Sequence, residues 1–506
     1  MAVEAEERAA VTRPDAHEVA FAESGWLWTL LLAAAAIEGL LLIMLRRLSI
    51  ERYPMIVPTP QPVANVLGIT EHGLTWFVLL MGALALAYVV AYAAALRLPD
   101  RRAGLIAIGC AVVFLATTIP VFPGGAQDVY HNVVDARTFW VYHENPIATP
   151  PDAHPEDPIA SQLFTWQNIT SSYGPVWYMV SGAPLPFTGT GLVRNVIGQK
   201  LLVGAFLLGT LLLLYETVRR RWPERATAAV VLLGWSPLAL WEVGVNAHND
   251  IVMMFFALAA LAAVLHGRWR WAFPLLALGV GAKFTMLALA PLLFVWLWRR
   301  VPTKQRRDLW LSIGAATGLL ALVYLPFVLS SPTLANTSAL RDRFISSPAS
   351  LAVAFMMQTL SLNQAENVAR VVASLVFIGC YVAVLWRCWR GTLSVLAGCF
   401  WAAFLILALP TWWFWPWYAI WMLPLAALLA GRREATLGLL FGISALMVYP
   451  IYYWRDVLLN GMDWYSNQFV IVGAVFGPVA IYLLTVYVAP RVFVAPAPIV
   501  RDGESL

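Results

Sequence analysis

The chain has 506 residues, of which 60% are hydrophobic and only 12% charged, with 24 tryptophans and a formal net charge of +5. A water-soluble domain carries roughly twice that fraction of charge, so a soluble fold is excluded. The basic residues sit in short clusters between apolar runs and form no single basic surface, which excludes nucleic acid as the expected partner.

Residues 1–25 are polar and on balance acidic, without the basic start and small-residue cleavage site of a secretory signal, and read as a cytoplasmic tail. Apolar runs near the ~20 residues that cross a bilayer then recur almost to the end. They predict spans over 26–45, 74–95, 104–121, 200–218, 226–243, 251–265, 309–329, 368–386, 393–409, 415–430, 436–453 and 469–488. With two further apolar stretches the expectation is an all-α, polytopic transmembrane protein of about 12–14 segments. Residues 26–488 then form one membrane domain, and 489–506 a short tail. Cys110, Cys380, Cys388 and Cys399 lie in or beside apolar segments without metal-ligand spacing, and read as small hydrophobes.

Basic residues in short loops report the cytoplasmic side. The clusters at Arg97–Arg102, Arg219–Arg225, Arg268–Arg270, Arg299–Arg307, Arg387–Arg390 and Arg432–Arg433 share that side only if the apolar stretch between Arg270 and Arg299 does not cross once. A pair of short helices that enters and returns, turning near Gly281–Ala282, satisfies this and places Lys283 deep in the protein. Backbone at such a turn must be sheltered by protein. The same parity leaves Arg46, Arg47 and Arg52 on the outer side, against the rule.

The longest extramembrane region, 122–199, is then outside. It opens with Asp128 just beyond the third span and continues through the proline-rich "ENPIATPPDAHPEDPIA", which cannot be a regular helix. "SSYGPVWYMVSGAPLPF" follows and suits a short helix lying in the interface. The region reads as a lid. Acids within spans are few, whereas polar and titratable residues gather in the outer loops. That distribution favours an enzyme acting on a lipid headgroup over its rival class, a transporter or exporter.

Several residues carry two readings. Asp128 is a general base or the cap of the helix beginning "VYHNVVDARTFWVY". Asp135, seven residues on, shares its face and either assists, holds Arg137, or forms a surface pair with it. "NAHND" places Asn246, His248, Asn249 and Asp250 at an outer turn, where Asp250 binds ligand or caps the next helix. Lys283, with Arg341 and Arg343, meets an anionic group or is paired structurally with Glu216 or Glu242. Asp152, Glu156 and Asp157 have no spacing that fixes a cation site, so no metal or cofactor is expected.

The succession "QDVY", "NP", "YGPVW", "GWSPLALWEVGVNAHNDIVMMFF" and "ALGVGAKFTMLALAPLL", over roughly 101–300, resembles the polytopic GT-C glycosyltransferases, and among them the polyprenyl-phosphate-mannose-dependent mannosyltransferases. The resemblance implies helices around an outward-facing cavity at the extracytoplasmic face of the cell membrane. It also implies inverting transfer of a sugar, mannose, from a polyprenyl-phosphate donor to a lipid-linked or cell-envelope glycan. Asp128 matches the base of such enzymes by position, with Asp135 beside it. Tyr130, His131, Arg137, Tyr173, Asn246, His248, Asp250, Lys283, Arg341 and Arg343 become the expected substrate-binding set, in a monomer surrounded by membrane lipids. The chemistry fits: the acceptor oxygen needs a carboxylate within ~3 Å, while the departing phosphate needs no metal.

Overall fold

The computed structural model describes residues 16–52, 62–163, 166–329, 344–460 and 462–488, so Arg341 and Arg343 lie outside the described residues, as do 1–15 and 489–506. Among the described residues the elements are helices, with two isolated β-bridges and no strand. In chain order they include α1 (Ala16–Arg47), α2 (Glu71–Ala95), α3 (Arg101–Thr118), α4 (Asp128–Trp140), α5 (Pro175–Ser181), α6 (Leu192–Arg221), α7 (Ala226–Gly234) and α8 (Asp250–Leu265). There follow α9 (Ala272–Ala282), α10 (Ala290–Arg300), α11 (Arg306–Leu329), α12 (Leu362–Arg390), α13 (Val395–Ala408), α14 (Arg433–Ala445), α15 (Val448–Tyr453) and α16 (Trp464–Leu483).

Eight helical stretches among the described residues are long and apolar enough to cross a bilayer. A ninth results if the pair Pro223–Gly234 and Pro237–Val245, bent by 43°, is one span. The bend falls at Ser236, because Pro237 lacks an N–H and can only start a helix. Asp250–Leu265, Val395–Ala408 and Pro416–Leu428 are apolar but short. Sixteen residues of α-helix rise only ~24 Å, less than the hydrocarbon thickness. The twelve sequence segments therefore all find helices, while the number able to cross outright is smaller. α8 is buried along nearly its whole length, as an all-round apolar helix in a protein core should be.

The re-entrant pair takes the form of α9 and α10, joined by a 3₁₀ stretch, Phe284–Leu289, with Lys283 extended at the break. Arg270, before the pair, meets Asp308, after it, at 2.6 Å, and Ser312 Oγ donates to the Arg270 carbonyl at 2.7 Å. The chain thus returns to the end it left. Other contacts gather the remaining basic clusters there. Arg299 donates to the Cys388 carbonyl at 2.9 Å, Arg225 and Arg432 line one cleft, and Arg97 stacks over Trp26 at 4.4 Å. Since α1 begins at that end, its terminal Arg46 and Arg47 stand at the opposite one, and the exception to the charge rule persists.

The proline-rich stretch is ordered by a buried carboxylate. Asp157, 1% exposed, pairs with Arg137 at 2.6 Å, accepts from Tyr142 at 2.8 Å and takes the amides of Ile159 and Ala160. Arg137 is therefore held by Asp157 and not by Asp135. α5 packs Trp177 and Tyr178 against protein, with Trp177 Nε1 donating to Asn132, while Met179 and, beyond the helix, Phe187 remain exposed.

These contacts give a labelling test. In a background free of the four native cysteines, Arg268→Cys and Thr303→Cys should respond alike to a membrane-impermeant thiol reagent, and opposite to Asn168→Cys; opposite responses of the first two in intact cells would overturn the re-entrant pair.

Candidate active site

Asp128 is placed by the segment between α3 and α4. The fully buried Lys200 of α6 donates to the carbonyls of Ile119 (2.7 Å) and Val121, while just beyond α1 the Leu48 carbonyl accepts from the Phe122 amide and the Ile50 amide donates to the Pro120 carbonyl. Gly125 then passes so close to the "NAHND" turn that a Cβ would stand 2.3 Å from Asn246 Nδ2. Its amide donates to Asn246 Oδ1 at 2.9 Å, and its carbonyl accepts from Tyr453 at 2.8 Å. Asn246 therefore anchors the loop that carries Asp128.

Asp128 is the first residue of α4, and Gln127 holds the N-cap position without a side-chain cap. Its carboxylate instead faces a cavity of about 380 Å³ and is 31% exposed. One oxygen accepts from Tyr173 at 3.1 Å, and the other stands 3.9 Å from His248 Nε2. His248 Nδ1 lies 2.9 Å from Glu242 Oε2, and Trp417 stacks on the imidazole with centroids 4.2 Å apart. Glu242, fully buried in the π-helical stretch Leu240–Val245, also accepts from Tyr449 at 2.8 Å and Asn246 at 3.3 Å. A buried carboxylate needs such partners, and the pair it makes with His248 keeps the imidazole charged.

These groups set the protonation states. Burial raises the Asp128 pKa, but His248, His131 and Tyr173 together hold it below the usual carboxylate value. Burial lowers that of His248, and Asp128 and Glu242 more than reverse this, to about 10. Asp135, 6% exposed, is raised to about 7, chiefly by burial. Near pH 7 one carboxylate is thus an anion and the other is midway through its titration, both lining one cavity.

Lys283 lines the same cavity. Its Nζ donates to Asp250 Oδ1 at 2.6 Å and lies 4.8 Å from the Tyr418 ring centroid, 5.1 Å from Trp421 and 5.5 Å from Tyr173. Trp421 Nε1 shares the same Asp250 oxygen at 2.5 Å. The structural partner of Lys283 is Asp250; Glu216 pairs with Arg219 and Arg220, and Glu242 with His248. Two glycines bring this lysine to Tyr173. Gly174 donates to the Ala282 carbonyl at 3.0 Å, and a Cβ on Gly174 would stand 2.1 Å from the Gly281 carbonyl oxygen. Gly174→Ala should therefore part the two loops and lower turnover by about 10²-fold, the usual cost of displacing a site by ~1 Å. Wild-type kinetics in the folded variant would show the approach to be dispensable.

Of the residues singled out in sequence, Asp128, His131, Asp135, Tyr173 and Lys283 line the cavity, with His248 and Asp250 directly behind it. Tyr130 is packed in the core, Arg137 is engaged by Asp157, and Asn246 acts on backbone. Glu242 enters the sequence reading only as a structural partner for Lys283, and the aromatic residues Trp413, Trp415, Trp417, Tyr418, Tyr452 and Tyr453 that line the cavity are not part of it. The run "TWWFWPWYAIW" was their one visible signal.

A family model described as "Alpha-(1->6)-mannopyranosyltransferase, N-terminal domain" matches residues 32–300. A curated relative, alpha-(1->6)-mannopyranosyltransferase A of Mycobacterium tuberculosis, is 25% identical over 345 residues, covering 64% of this chain. The match spans 65% of that relative's length. No solved structure matches the chain.

Proposed function

As the chain belongs to the alpha-(1->6)-mannopyranosyltransferase N-terminal-domain family, a membrane glycosyltransferase family, we propose that it moves mannose from a polyprenyl-phosphate donor to a glycan at the extracytoplasmic face, with inversion. The observation that carries this reading is the pairing, in one cavity, of an ionised carboxylate with a lysine ammonium, bridged by Tyr173. In the proposed reaction an acceptor hydroxyl donates to Asp128 and attacks the anomeric carbon as the bond to the phosphate oxygen breaks. The proton goes to Asp128, and the electron pair leaves with the polyprenyl phosphate, whose charge Lys283 meets. Tyr173 and charged His248 orient the base and keep it ionised. An α-linked product formed by inversion requires a β-linked donor.

An apolar groove of about 700 Å³ supports a lipid-borne donor. It lies between the re-entrant pair, α11 and α12, and is lined among others by Val280, Leu287, Pro291, Phe294, Leu320 and Val382. Leu287 stands in the 3₁₀ stretch that begins directly after Lys283, so a chain in the groove would carry its phosphate toward the ammonium. Purified protein given radiolabelled mannosyl phosphopolyprenol and a linear α-(1→6)-manno-oligosaccharide should elongate the oligosaccharide. Elongation from a nucleotide sugar and none from the lipid donor would refute the reading. Because no transmembrane passage is needed in detergent, the same assay separates transferase from exporter.

A further inference from the structure

The cavity at Asp128 has two unlike walls. Residues 127–135 and 170–173 supply carboxylates, hydroxyls and an imidazole, whereas the facing wall, from the far C-terminal part of the chain, is aromatic. Its geometry begins with backbone. Ile345 accepts from the amide of Phe414 and donates to the carbonyl of Trp412, each at 2.9 Å, which holds 412–415 extended. Side chains of an extended segment alternate between faces. Phe414 accordingly enters the core against Phe441 and Phe476, while Trp413 and Trp415 both line the cavity.

Trp415 lies parallel to Trp417, with centroids 5.1 Å apart and planes 7° from each other, and meets Tyr452 edge-on at 5.1 Å. Trp417 in turn stacks on His248, so the wall continues to the group behind the base. Trp166 stacks on Trp413, with centroids 5.8 Å apart, and so adjoins the same wall. Trp166 has a φ of 60°, a left-handed conformation that is costly for a bulky residue and characteristic of ligand sites. The Trp415 Nε1–H is buried without a hydrogen-bond partner among the described residues, although a buried donor is normally satisfied.

We propose that Trp413, Trp415 and Tyr452, with Trp166 packed on Trp413, form a sugar-stacking subsite that seats the terminal residues of a glycan-chain acceptor beside Asp128. The inference rests on the glycosyltransferase reading and names the substrate that this wall recognises. A pyranose ring has a face of C–H groups and a rim of hydroxyls. The aromatic wall takes the apolar face, the opposite wall takes the rim, and the unpaired Trp415 N–H donates to a ring substituent. Small alcohols or a bare lipid would use only one of the two walls.

The test is equilibrium dialysis of the purified full-length protein against tritiated α-(1→6)-linked mannotetraose, without donor. Saturable binding is expected. Trp415→Leu and Tyr452→Leu should each weaken it about 10-fold, and Tyr452→Phe, which keeps the ring, should restore it. Tyr452 is 37% exposed at the rim, so its replacement leaves the packed core intact should Trp415→Leu fail to fold. No saturable binding by the wild type, or equal affinity in wild type and folded Tyr452→Leu, overturns the subsite. Dialysis involves no chemistry: tetraose binding without transfer would sink the proposed reaction and spare the subsite, and transfer with unaltered acceptor KM in Tyr452→Leu would do the reverse.

Discussion

Asp128→Asn should lower turnover by at least ~10²-fold while sparing folding and donor binding, because it preserves the side chain's size and removes only its ability to accept a full proton. The amide oxygen still accepts from Tyr173, so the cavity is not emptied. The pH dependence separates base from bystander. In the wild type Asp128 stays ionised down to below the usual carboxylate range, so activity should persist on mildly acid media and fall only as pH drops through that depressed pKa. His248→Gln removes the nearest cation, which raises the pKa and should move the acid limb to higher pH. Rising pH also ionises Asp135 near 7, setting a second anion beside the first. Undiminished turnover of folded Asp128→Asn protein would dispose of the base assignment.

Lys283→Met should raise the KM for the lipid-phosphate donor about 10- to 100-fold, the loss of one charge-assisted contact of roughly 1.5–3 kcal/mol. The structure changes how this must be done. Lys283 neutralises Asp250, which is 1% exposed and keeps only Trp421 as a partner for the shared oxygen. Removing one member of a buried pair costs about 3–5 kcal/mol because the other charge is stranded. The informative variant is therefore Lys283→Met with Asp250→Asn, which leaves no unpaired charge. A folded double variant with unchanged donor KM would rule out the phosphate contact. If Lys283→Met alone unfolds and the double variant is stable but donor-deficient, the lysine has both roles.

Membrane class, segment positions and the location of Asp128 were legible in the sequence because each rests on local properties. Hydropathy over a span is a sum over neighbours, and a basic cluster reports its own loop. The conflict between Arg270 and Arg299 was enough to require a turn at Lys283, and the Arg270–Asp308 pair closes it. Short helices misled only in number, since α8 is apolar enough to look like a crossing yet is packed inside the protein.

Composition and periodicity act residue by residue, and they alone specify an all-α membrane protein with its polar chemistry gathered at one end. Which charges meet depends on the packing of distant segments. Lys283 joins Asp250 rather than Glu216 or Glu242, Arg137 joins Asp157 rather than Asp135, and His248 gains Glu242 behind it. Trp421 reaches Asp250 across 171 positions, and Tyr449 reaches Glu242 across 207. Such partners are chosen by desolvation: a charge removed from water must find its complement wherever the fold brings one, and no local pattern encodes that distance.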